Sequence, residues 1–474
     1  MRGRSFRVSC LVLLLLSGPA VAQSGQAIDA LAGATWSDAD GAARAEFTVA
    51  DPDAVIGGLF TPGKVTGDVT LNGKAIEPPL AGVTYSAIPF DAPKLLVKGV
   101  NKLAIAGAKG RPAVRLELYA PGMLDVQTGP VLGAIGADFF TVACRTNAPA
   151  TVAVSAVPVA GPEISAQSQR GYYHRFRVSL PGGTKQFQYT MTLQAGGAEK
   201  KLGPHKVKIP GATGTFRFAA CGDNRSHPES WSKVVAGILK ARPELLVATG
   251  DLASSGKIDE LWDKEFFGPA RDLFATVPLY AVLGNHDAAS PVFFEMIHGP
   301  DGEGRDKNWS QTLGDVLLIG IDGQNAGEFV ESALKGSKAK FAFLATHYPA
   351  YSSGPHGDND GSKNVLMPIL AKYKATAMLA GHDHSYERSE PPAGKGVTCI
   401  VTGGGGAPIY GKTNRNAYSK VFAATLHFCL FEIQGDTCQM KAIDTTGAVL
   451  DEKAFRVRAI PASKPAPEPV GAPL

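Results

Sequence analysis

Five short polar clusters, each at the end of an apolar run, hold the residues of this 474-residue chain that could do chemistry. They are Cys221-Gly222-Asp223-Asn224-Arg225, Thr249-Gly250-Asp251, Leu283-Gly284-Asn285-His286-Asp287, Ala345-Thr346-His347 and Ala380-Gly381-His382-Asp383-His384. Buried strands that each end in Asp, Asn or His bring hard oxygens and imidazoles to one sheet edge, where open α/β sheets bind their ligands. That ligand set suits two adjacent divalent or trivalent metal ions, of the Fe, Zn or Mn kind. The glycine run Gly403 to Gly406 is not followed by Lys and Ser or Thr, so it is no P-loop; it lets backbone pass close to the metal edge.

Taken together, the pairs Gly222-Asp223 and Gly250-Asp251, the run Gly284 to Asp287, His347 and the run Gly381 to His384 resemble the calcineurin-like metallophosphoesterases. Within that superfamily, Val401 to Ala407 is similar to the purple acid phosphatase branch, and the resemblance covers roughly residues 125–450. It implies that one metal takes Asp223, Asp251 and His384, and the other Asp251, Asn285, His347 and His382, with Asp251 bridging. It implies that His286 faces the substrate as the acid at the leaving oxygen, that Asp287 orients it, and that His356 is a second substrate-facing histidine.

Two positions depart from the family pattern. Ser254 stands where the purple branch has a tyrosine ligand, which removes the phenolate behind the purple colour. Arg225 stands where most of the superfamily has a metal-binding histidine; a guanidinium cannot ligate a cation but suits a phosphate oxygen. His227 is close enough in sequence to be a substitute ligand or a helix-start residue. His174, His205, His298 and His427 match no motif and read as surface or satisfied core residues.

The elements that must position these clusters follow from periodicity. From 214 to 456 the pattern alternates strand and helix, with strands expected at Leu279 to Leu283, Val316 to Ile321, Phe341 to Ala345, Ala377 to Ala380 and Thr398 to Thr402. Pro228 suits a first helical position, with Val234, Val235, Ile238 and Leu239 on one apolar face, and Val365 to Tyr373 reads as a second helix. The fold class is multidomain: two all-β sandwiches followed by an αββα metallophosphoesterase domain. Residues 23–122 read as the first, jelly-roll-like sandwich, with a hairpin at Val69 to Gly73, a strand pair Leu95 to Val97 and Leu103 to Ile105, and a strand at Arg115 to Tyr119. Residues 125–211 are similar to a fibronectin-like sandwich, and 457–474 form a Pro/Ala-rich tail.

Composition sets the remaining limits. Hydrophobic residues at 44% and charged ones at 19% are ordinary for globular domains, and 55 glycines favour strands and turns. Residues 1–22 read as a signal peptide cleaved after Ala22, which implies a secreted or periplasmic protein with no membrane span in the mature chain. Without them Lys+Arg falls from 47 to 44 against 43 acids, so nothing points to nucleic acid or a membrane surface. Of the cysteines left, Cys429 and Cys438 flank the turn-like Gln434-Gly435-Asp436 and are compatible with a hairpin disulfide.

The reading is an exported, metal-dependent phosphoesterase that hydrolyses phosphate monoesters with a metal-activated water at a dinuclear site. Alternatives are a phosphodiesterase on the same metals, or a surface binding protein with a structural metal site; an intact Asn285-His286-Asp287 argues against the latter.

Overall fold

The computed structural model describes residues 27–212, 214–300, 307–323 and 326–459. The expected signal peptide, and the tail from 460 onward, lie outside them.

In the first hundred described residues a four-stranded sheet faces a five-stranded one across a shared core that includes Phe60, Phe90, Leu103 and Leu118. The hairpin forms as expected: Val69–Leu71 pairs with Lys74–Ala75, and Asn72 and Gly73 take positive φ (53° and 78°) at the turn. Leu95 to Val97 is not a strand. Ala92–Leu95 is a short helix with Pro93 in its first turn, and Gly99–Ala106 pairs instead with Ala42–Val49.

The next segment is organised by one strand of twenty residues, Phe139–Pro158. Its first half pairs with Val126–Ile135 and Gly171–Ser179, its second with Ile164–Gln167 and Gln186–Ala195, around a core containing Phe140, Phe187 and Tyr189.

The C-terminal region has two sheets. One runs in the order Leu279–Ala281, Leu245–Ala248, Thr215–Cys221, His427–Gln434, Thr437–Asp444, Val449–Arg456. The other is seven-stranded, with Val316–Gly320, Phe341–Ala345, Ala377–Ala380 and Thr398–Thr402 parallel in its middle. The inner faces meet through aromatic packing: Phe218 stacks on Phe431 at 4.5 Å, and Phe343 meets both edge-on. Helix Pro228–Ala241 covers the outer face of the first sheet with Trp231, Val234, Val235 and Ile238. Gly327–Lys335 and Met367–Lys372 cover the outer face of the second. The layers are therefore helix, sheet, sheet, helix.

Two further expectations fail locally. Leu239 is 39% exposed, because the face that Val234 and Ile238 bury is narrower than the apolar run in the sequence. Cys429 and Cys438 cannot bridge: Cys438 pairs with Ile433, four residues along the strand from Cys429, roughly 13 Å at strand rise. All five cysteines among the described residues are free and buried. No helix among the described residues is long and apolar enough to cross a membrane.

Candidate metal centre

The five clusters meet at the carboxyl ends of the parallel strands. Asp223 follows Thr215–Cys221, Asp251 follows Leu245–Ala248, Asn285 follows Leu279–Ala281, His347 follows Phe341–Ala345, and His382 and His384 follow Ala377–Ala380. Asp223, Asp251 and His382 have φ of 56°, 56° and 70°, a left-handed conformation uncommon for residues with a Cβ and concentrated at functional sites. The glycines of the motifs make room for the carboxylates. A Cβ on Gly284 would lie 2.1 Å from Asp251 Oδ1, and one on Gly381 would lie 2.3 Å from Asp223 Oδ2.

Ligand atoms of Asp223, Asp251 and His347 lie within 4.8 Å of one another, and all three residues are buried. Around His347 Nε2 gather Asn285 Oδ1 at 3.1 Å, His382 Nδ1 at 3.2 Å and Asp251 Oδ1 at 3.5 Å. On the other side of Asp251, His384 Nε2 lies 3.5 Å from Asp223 Oδ1. The tautomers are set from behind: Nδ1 of His347 bonds the Thr249 carbonyl at 2.9 Å, and Nδ1 of His384 bonds the Pro408 carbonyl at 2.7 Å. Each therefore turns an Nε2 lone pair inward, as a metal ligand must.

Burial holds these imidazoles neutral, pushing His382 down to about 3 and His384 to about 4, and lowering His347 as well. Burial first, and the neighbouring Asp251 charge second, push the Asp223 carboxyl well above the usual range. Thr249 Oγ1 and both amide atoms of Asn224, beside Asp223, are buried with no partner among the described residues. Two adjacent buried carboxylates and inward-facing neutral imidazoles are a donor set that fits cations.

The other sequence-predicted residues are placed less uniformly. His286 lines the site: its Nδ1 bonds the Ser254 carbonyl at 2.8 Å, its N–H donates to Asp251 Oδ1, and its Nε2 is 4.0 Å from Asp251 Oδ2. Asp287 does not orient it. That carboxylate is fully buried and accepts from the N–H groups of Asp251, Leu252, Ala253 and Gly284, bracing the loop that carries Asp251 because its turn carries it away from the imidazole. Burial first, and the Asp251 charge second, raise Asp287 to about 7.

His356 is at the rim, its ring 4.0 Å from that of His382. Arg225 reaches inward rather than standing clear: Nε lies 3.3 Å from Asp251 Oδ2, and Nη2 is 3.4 Å from His384 Nε2. His227 is outside the site, at the start of helix Pro228–Ala241 with its Nδ1 3.6 Å from Glu229. Ser254 has its hydroxyl on Glu265 at 2.8 Å. The glycine run does approach the carboxylates, a Cβ on Gly403 falling 2.8 Å from Asp223 Oδ2.

Two residues were missed. Asp383 bonds His356 Nδ1, and Tyr410 stacks on His384 at 4.0 Å. Asp383 had only its place between the two histidines as a signal, since the φ of 70° at His382 and the bend through residues 382–385 break strand alternation. Tyr410 had none.

Comparison with known proteins agrees with this geometry. Residues 216–386 match the family described as calcineurin-like phosphoesterase. Over 247 residues the chain is 24% identical to tartrate-resistant acid phosphatase type 5 of Oryctolagus cuniculus, covering 41% of this chain and 74% of that protein. The Homo sapiens protein of the same name is 23% identical over the same length and coverage. In fold, the chain is similar to the purple acid phosphatase from yellow lupin (Lupinus luteus) seeds, with a TM-score of 0.62, 15% identity, and coverage of 90% of this chain and 96% of that one. The region 216–386 is thus a calcineurin-like phosphoesterase domain, and the chain is a metal-dependent phosphoric ester hydrolase similar to the purple acid phosphatases.

Proposed function

We propose that this protein is an exported phosphomonoesterase working at a dinuclear metal site, preceded in the chain by two β-sandwich domains. The observation that carries the reading is the convergence on Asp251 of two donor sets: Asn285, His347 and His382 on one side, Asp223 and His384 on the other. When bound, the ions supply Lewis acidity toward the phosphoryl oxygens and lower the pKa of a coordinated water. Asp251 bridges. Asn285 adds a neutral oxygen, which limits the negative charge facing an anionic substrate.

The chain's own residues do the rest. The Arg225 guanidinium, at the mouth between Asp251 and His384, offers a two-pronged contact to a phosphate oxygen. His286, with Nδ1 held by a carbonyl, presents Nε2 to the leaving-group side. His356 presents a second imidazole from the rim. The test is turnover of p-nitrophenyl phosphate against bis(p-nitrophenyl) phosphate by the metal-loaded protein. A monoesterase prefers the former by at least tenfold; the opposite preference would favour a phosphodiesterase.

A further inference from the structure

We propose that the first domain is a positioning element of the active site, holding His286 in place through a backbone bridge at Thr84. The inference rests on the reading of His286 as a substrate-facing residue. The sequence offers no role for this domain beyond packing or spacing, and the structure places one of its loops directly on the segment that carries His286's hydrogen-bond partner.

That loop reaches from the first domain with Leu80 and Val83, which pack against the core under helix Pro228–Ala241. The next residue forms a parallel bridge to Ile258. Thr84 N–H donates to the Lys257 carbonyl at 2.7 Å, and Asp259 N–H donates to the Thr84 carbonyl at 3.0 Å. A spacer would not need paired backbone bonds, which fix register as well as proximity.

The junction is locked further at Asp259. Its buried carboxylate takes Arg145 Nη1 at 2.6 Å and the Tyr173 hydroxyl at 3.3 Å, both from the second segment. The Arg145 guanidinium lies against the rings of Tyr173 and of Tyr85, the residue after Thr84. Three parts of the chain thus close on one residue.

The opposite end of the same segment is bonded to His286. The Ser254 carbonyl accepts from His286 Nδ1 at 2.8 Å, and Gly256 N–H donates to the His286 carbonyl at 2.8 Å. Gly256 is pressed against the turn: a Cβ there would lie 1.8 Å from the Asp287 carbonyl oxygen. The Trp262 indole and Glu265 hold the segment from below, through the Gly256 carbonyl and the Ser254 amide and hydroxyl. Residues 254–259 therefore have His286 at one end and the first domain at the other. Displacing a reacting group by about 1 Å costs on the order of 100-fold in rate, so a shift at Thr84 is felt at His286.

The test uses the full-length, metal-loaded protein. Thr84→Pro removes the N–H that bonds Lys257, whereas Thr84→Ser keeps it. With p-nitrophenyl phosphate, Thr84→Pro should lower kcat about 10- to 100-fold with KM within roughly threefold, at unchanged metal content, and Thr84→Ser should match the parent. Introduced into His286→Ala, Thr84→Pro should change kcat by less than about twofold, since both act through one group. If Thr84→Pro fails to fold, Leu80→Ala/Val83→Ala loosens the same dock and should show the same split and the same loss of effect without His286. A folded, metal-loaded Thr84→Pro with parental kcat overturns the proposal, as does an equal loss with and without His286. A His286→Ala protein of parental activity would withdraw the underlying reading instead, and the proposal with it.

Discussion

His356 Nδ1 lies 2.7 Å from Oδ1 of Asp383, and Asp383 is the residue between the two histidines of the last cluster. The second carboxylate oxygen takes the Ser352 hydroxyl at 2.5 Å, and the group is fully buried. A His–carboxylate pair was expected at His286 and Asp287; the structure forms it at His356 and Asp383. The segment holding the two inward histidines is thereby tied to a third at the rim, through a bend in which His382 takes φ of 70° and the backbone N–H of His356 also donates to Asp383 Oδ1 at 3.1 Å.

This relationship predicts a kinetic signature. Asp383→Asn should lower kcat about tenfold with little change in KM, because it frees the His356 ring without removing a ligand. His356→Ala should do the same, and the double variant should lose no more than the worse single one. Steady-state kinetics on the four proteins checks it; fully additive losses would separate the two residues.

The position of Arg225 predicts unequal metal affinities. A guanidinium 3.3 Å from Asp251 would oppose a cation held by Asp223, Asp251 and His384, a site with three protein ligands in the proposed assignment against four on the other side. Graded chelation followed by metal analysis should remove one equivalent well before the second. Arg225→Ala should narrow the gap while costing roughly one to two decades in kcat/KM, the loss of a charged hydrogen bond of about 1.5–3 kcal/mol. Equal affinities in the parent would contradict this.

The iron-loaded protein should be colourless in the visible. Ser254 occupies the position of the phenolate and gives its hydroxyl to Glu265. The tyrosines nearest the histidines, Tyr348 and Tyr410, contact them ring to ring. An absorption spectrum decides; a charge-transfer band abolished by Tyr348→Phe would mean that tyrosine is a ligand.

Acid stability follows from histidines outside the metal centre. Burial pushes His174 and His427 down to about 4 from the ordinary 6.5. Between about 6.5 and 4 the unfolded chain therefore binds protons that the folded protein refuses, and stability falls as pH falls through that window. Urea unfolding at pH 7 and 4.5 should show a stability loss about 2–3 kcal/mol smaller in His174→Gln than in the parent. Parallel pH dependence in the two proteins would refute the assignment.

The catalytic layers and the meeting of Asp223, Asp251, Asn285, His347, His382 and His384 were legible in the sequence, because parallel strands buried on both faces end in polar residues at one edge. Hidden were relations that depend on which distant segment lies alongside. Asp287 reads as an orienting carboxylate until its turn is seen to face the Asp251 backbone, and Tyr410 carries no local pattern at all. Leu95 to Val97 has strand composition, but Pro93 two residues earlier starts a helix. Cys429 and Cys438 are close in sequence, yet the hairpin register sets them four residues apart. The bridge at Thr84 is made by backbone atoms, which no side-chain pattern reports.

The central claim, that the donors around Asp251 hold the metals on which phosphoester hydrolysis depends, is tested most directly by titrating metal into chelator-treated protein while following bound metal and p-nitrophenyl phosphate turnover together. The account predicts no turnover without metal and recovery that rises with occupancy toward two equivalents. It predicts reduced binding and orders-of-magnitude loss of activity in His347→Ala and His384→Ala. Full turnover by metal-free protein, or full metal occupancy in both variants, would contradict it.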